Sequence, residues 1–77
     1  RDGARVAALK QTVRDALALD SDVAVSINEI ACADPACPVL ETIVLVMVPG
    51  QKTRAYKVHG ALDDLTGPAL RDALLAS

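Results

Sequence analysis

A chain of 77 residues with a net charge of −2 and 52% hydrophobic content is bounded to one small domain with a genuine core. Phe and Trp are absent and Tyr56 is the lone Tyr, so the core is aliphatic and no aromatic platform exists for stacking bases or sugars. The eight basic residues are scattered, against nucleic-acid binding, and the longest apolar run, Ile43 to Val48, is far too short for a membrane span. No signal-peptide pattern opens the sequence, so a cytoplasmic protein is expected. Because the chain begins at Arg1, residues 1–77 are also readable as one domain of a longer protein.

Taken in chain order, Val6, Leu9, Val13, Ala16 and Leu17 recur at helical spacing behind Asp2, predicting an amphipathic helix over residues 3–18. Arg5, Lys10, Arg14 and Asp15 are assigned to its polar face. After Leu19-Asp20-Ser21-Asp22, the alternation of Val23, Val25 and Ile27 with Ala24, Ser26 and Asn28 predicts a half-buried strand. A loop from Ala31 to Leu40 follows, then a strand from Glu41 to Val48 that is apolar on both faces. Pro49-Gly50 marks a turn, and Thr53 to His59 a third strand with Tyr56 and Val58 facing the core. Thr66 and Pro68 open a last helix, striped by Leu70, Ala73 and Leu74, with Asp63 and Asp64 capping or preceding it.

The order αβββα predicts an α+β, two-layer domain: a three-stranded antiparallel meander with two helices packed on one face. Assigning Ile43, Leu45 and Met47 to the helices leaves Val44, Val46 and Val48 outward, as a candidate interaction surface for a protein partner or a homodimer.

Chemistry is concentrated in one loop. Cys32 and Cys37 sit among Asp34, Pro35 and Pro38, flanked by Glu29 and Glu41. The prolines stiffen it. Three states are open: a disulfide worth about 2 kcal/mol on loop-entropy grounds, a metal site, or two thiols packed as small hydrophobes. A meander brings His59 back towards Thr42, so Cys32, Cys37, His59 and a carboxylate from Asp34, Glu29 or Glu41 could supply the four ligands zinc takes. Glu29 and Glu41 as an acid/base pair is the weaker reading, set against their satisfying loop amides. No catalytic triad, phosphate loop or dinucleotide fingerprint is present, so neither an enzyme nor a resident cofactor is expected, zinc being the alternative.

The run Glu29-x-x-Cys32-x4-Cys37-Pro38-x-x-Glu41-Thr42, with a His closing a later strand, resembles a loosely defined group of small, uncharacterised bacterial accessory domains. The likeness extends from Val23 to Leu70, with Ala36 and Val39 standing where that group favours Gly and Pro. It implies an accessory factor without an established activity. The expected function is a non-catalytic interaction module whose cysteine loop is a structural staple. The alternative is a thiol-redox or metal-handling factor (Zn or Fe–S) using Cys32 and Cys37.

Overall fold

The computed structural model describes residues 3–31 and 40–76. The elements run α1 (Gly3–Leu17), β1 (Ala24–Ala31), β2 (Leu40–Met47), β3 (Arg54–His59), a 3-10 turn (Leu62–Asp64) and α2 (Gly67–Ala76). The sheet is an antiparallel meander in the order β1-β2-β3, and both helices flank it, as the element order predicts.

Local chemistry explains the boundaries. Leu9 and Val13 bury one stripe of α1, and the helix ends where Ala18 turns left-handed at φ 52°. The Leu19 amide then reaches back to the Arg14 carbonyl at 3.0 Å, closing a Schellman-type end. A Cβ in that conformation is strained, so Ala18→Gly is expected to raise stability by about 0.5–1 kcal/mol in urea unfolding. A loss of stability would sink that account of the helix end.

Between β2 and β3 the Gln51 amide bonds the Val48 carbonyl at 3.0 Å, with Gly50 at φ +77°. Pro at the second position and a positive φ at the third make a type II turn. Past β3, Gly60 at φ +112° lets the chain bend into the 3-10 turn while its amide still pairs with Leu40 at 3.2 Å. At α2, the Thr66 hydroxyl accepts from the Ala69 amide at 3.2 Å, the cap the sequence predicts. The Asp2 cap expected for α1 lies outside the described residues.

The core lies between the sheet and the helices: Leu9, Val13, Val23, Ile27, Val44, Val46, Val58, Leu62, Leu65, Leu70 and Leu74. This corrects the face assignment of β2. Val44 and Val46 are completely buried, and Val48 packs against the core just beyond the strand. They are not an outward surface. The reason is register parity. Val44 pairs with Ile27 and Tyr56, and Val46 with Val25, and directly opposed residues share a face. Since β1 commits Val25 and Ile27 inward and β3 commits Tyr56 and Val58 inward, the even-numbered residues of β2 must follow. Ile43, Leu45 and Met47 therefore point away from the helices, half-buried between the flanking strands and outside the core cluster.

A second correction concerns α1. Arg5 and Arg14 are half-buried rather than solvated. Arg14 donates to the carbonyls of Asp20 at 3.2 Å and Val23 at 2.6 Å, tying the end of α1 to the entry of β1. Arg5 donates to the carbonyls of Leu62, at 3.3 Å, of Asp63, at 2.9 Å, and of Leu65.

Candidate functional site

Two places could carry function: the mouth of the cysteine loop and the outer face of the sheet. Both are set by the same pairing.

The loop leaves β1 at Ala31 and re-enters β2 at Leu40, and these two residues are paired across the strands. Cys32, Asp34 and Cys37 lie outside the described residues. Of the remaining candidate ligands, Glu41 and His59 are direct partners between β2 and β3, so both side chains project from the outer face beside the loop's base. His59 is exposed and Glu41 half-buried. Glu29 is not with them. It pairs with Thr42 and lies on the helix side, where its Oε2 accepts from the Leu62 amide at 2.9 Å. The two glutamates thus occupy opposite faces of the sheet, and a paired acid/base arrangement is not formed. Among the described residues no group of three or more metal-ligating side chains converges.

Thr42 completes the buried side of the loop's base. Its side chain is fully buried, and the hydroxyl donates to the Gly60 carbonyl at 3.1 Å, so a polar group is accommodated without a stranded donor. Together with the Glu29–Leu62 bond, this fixes the strand ends from which the loop springs.

The outer face is made of three rows. Ile30, Glu41 and His59 form one, Asn28, Ile43 and Lys57 the next, and Ser26, Leu45 and Ala55 the third, with Ala24 and Met47 paired beyond them. Ala24, Ser26 and Ala55 put small side chains beside Leu45 and Met47, which are half-buried. Asn28 Nδ2 donates to Ser26 Oγ at 2.7 Å, so the polar groups on that flank satisfy each other. Ile30, 36% exposed, extends the apolar surface to the end of β1.

The recesses of the molecule offer less. An open groove of about 790 Å³ runs between the helices past Thr12, Ala16, Pro68 and Leu75, with Asp15, Arg71 and Asp72 along its rim. A smaller one of about 410 Å³ lies by Val6, Ile27, Asn28, Glu29 and Leu62. Among the described residues, Thr12 brings the one hydroxyl to either groove, and it bonds the Ala8 carbonyl at 3.1 Å. Among the described residues no helix is long and apolar enough to cross a membrane. Compared with protein-family models, with curated proteins and with solved structures, the chain matches none.

Sequence reasoning missed Arg5 as an anchoring residue. The signal was available: Arg5, Leu9 and Val13 are spaced i, i+4, i+8, which puts the guanidinium on the buried stripe.

Proposed function

We propose that this chain is a non-catalytic interaction module that docks a protein through the outer face of its sheet, with the cysteine loop as a local staple. One observation carries the reading. From Ile43 onward the central strand turns its larger apolar side chains, Ile43, Leu45 and Met47, away from the helix layer, while the smaller Val44 and Val46 fill the core. A sheet with one solvated face ordinarily alternates apolar-in with polar-out. Here the outer positions of β2 beyond Glu41 carry no polar group, and a contiguous apolar surface rimmed by Asn28, Lys57 and His59 is the composition of a docking patch.

A photo-crosslinking residue placed at Ala55, within the face, should trap discrete adducts in cells making the protein. The same residue at Ala8, exposed on α1, should not, and Leu45→Asp should abolish the Ala55 adducts. Equal labelling at both positions, or none at Ala55, would remove this reading.

The thiol-redox or metal-handling reading keeps one observation in its favour, the juxtaposition of Glu41 and His59 beside the loop's base. The intact mass of the chain purified without reductant tests it: a loss of two hydrogens or a retained metal raises the redox and metal reading, and an apo mass with free thiols favours the interaction surface.

A further inference from the structure

We infer that the edge of β1 takes up an extended segment of another protein as a fourth, antiparallel strand, one carrying a Lys-x-Val-x-Val type of pattern. The surface is the edge of the sheet and not its outer face, so the inference stands apart from the docking reading above.

The pairing register fixes which backbone groups face this edge. One step beyond the Glu41–His59 pair, the Gly60 amide bonds the Leu40 carbonyl at 3.2 Å, so even-numbered residues of β2 bond β3 and odd-numbered ones bond β1. The β1 partners of those odd residues are Ala24, Ser26, Asn28 and Ile30. The alternate residues, Val23, Val25, Ile27 and Glu29, therefore aim their N–H and C=O groups off the sheet. Val23 follows the rule, because its carbonyl accepts from Arg14 Nη2 at 2.6 Å on that side. Among the described residues nothing bonds the outward groups of Val25 and Ile27. Donors and acceptors repeating at this spacing are matched by an extended chain, which is how peptides add to sheet edges.

A recess accompanies the edge. The cavity of about 410 Å³ is lined by Val6, Ile27, Asn28, Glu29 and Leu62. Asn28 belongs to the outer side of the sheet and Ile27 and Glu29 to the helix side, so the cavity runs along the edge itself, floored by Val6 of α1 and by Leu62. A strand laid there sends alternate side chains into it. The two edges of the sheet also differ in protection. β3 is six residues long and carries Arg54 and Lys57, whereas β1 is eight residues long with no Lys, Arg or Pro. Sheets ordinarily guard a free edge with such residues, and β1 lacks them.

Side chains select the occupant. Directly opposed residues of an antiparallel pair share a face. The residue opposite Ile27 lies over Val6 and Leu62 and is aliphatic, and so is the one opposite half-buried Val25. Opposite Glu29 a Lys is favoured over an acidic or apolar residue. A second copy of β1 does not meet these terms. Two copies related by a two-fold axis pair residues of equal parity, and in every register joining more than half of the strand Glu29 meets Val23, Val25, Ile27 or its own copy.

The test uses the whole chain and a capped synthetic peptide, Gly-Lys-Thr-Val-Thr-Val-Gly, followed by amide exchange and by titration to about 1 mM. In the free chain the Val25 and Ile27 amides should exchange faster than those of Ser26 and Asn28, and saturating peptide should slow them. Binding should weaken about fivefold or more when the peptide's Lys becomes Glu. N-methylation of the Val opposite Ile27 should weaken it about tenfold or more, and N-methylation of the Thr before it, whose N–H points away from β1, by less than about threefold. Leu45→Asp, which breaks docking through the outer face, should leave peptide binding within about twofold of wild type. Absence of protection at about 1 mM peptide overturns the inference, as does equal sensitivity to the two methylations. Slowing of Val25 and Ile27 exchange by raised protein concentration alone overturns it too, by giving the edge to a second copy.

Discussion

Val44→Asp is expected to abolish the folded state, whereas Leu45→Asp, one residue further on, is expected to leave it nearly as stable as the wild type. Val44 is fully buried, opposed by Ile27 on one side and Tyr56 on the other. A carboxylate there is desolvated between Ile27 and the Tyr56 ring, a penalty of about 4 kcal/mol or more. A domain of this length has roughly 4–12 kcal/mol to lose. Leu45 faces outward, so its replacement removes part of a half-buried patch and costs about 1 kcal/mol or less in the monomer. Urea unfolding followed by circular dichroism reads both. Equal destabilisation, or a reversal of the order, would mean that β2 presents its other face to the helices. Because the two substitutions are chemically alike and adjacent, the contrast isolates the face and not the charge.

The same strand marks where the sequence was legible and where it was misleading. Period-two alternation identified β1, Pro49-Gly50 marked the turn before β3, and caps and stripes identified both helices, because each of these signals is local. The facing of β2 is not local. Its outer residues are larger and more apolar than its inner ones, so a rule that sends bulk inward selects the wrong parity. Combining the inward residues of β1 and β3 with the pairing register selects the right one. Among the site residues, the closeness of His59 to the loop's base follows from the meander alone, and the register makes Glu41 its partner. Glu29 could not be placed by proximity along the chain, since a single step of parity put it on the opposite side, bonded to Leu62. The 3-10 turn carried no periodic signature. It exists because distant side chains satisfy its backbone.

That dependence makes Arg5→Ala the second large expected effect, a loss of about 2–3 kcal/mol. One guanidinium meets the carbonyls of Leu62, Asp63 and Leu65, three acceptors in four residues, across more than fifty positions of sequence. Hydrogen bonds from a charged donor are the stronger class, and removing the donor leaves part-buried carbonyls to find water. Packing is lost as well, because the stem of Arg5 continues the stripe of Leu9 and Val13. Leu62 is held from both ends: its amide donates to Glu29 Oε2 and its carbonyl accepts from Arg5 Nη2, so a single peptide segment is pinned between β1 and α1. Leu62 and Leu65, both buried, are carried into the core by that clamp. All three carbonyls are met by the one nitrogen Nη2, so Arg5→Lys, whose ammonium carries three N–H donors at a similar reach, should recover more than half of the loss. Amide exchange at Asp64 and Leu65, which close the turn onto Ala61 and Leu62, should quicken in Arg5→Ala more than exchange along β2. Stability within about 0.5 kcal/mol of wild type, with unchanged exchange at these two amides, would show that the turn stands without the arginine. A Glu29→Ala, Arg5→Ala cycle then measures whether the two ends of the clamp are coupled. A non-additive loss is expected, because both act through the same peptide segment.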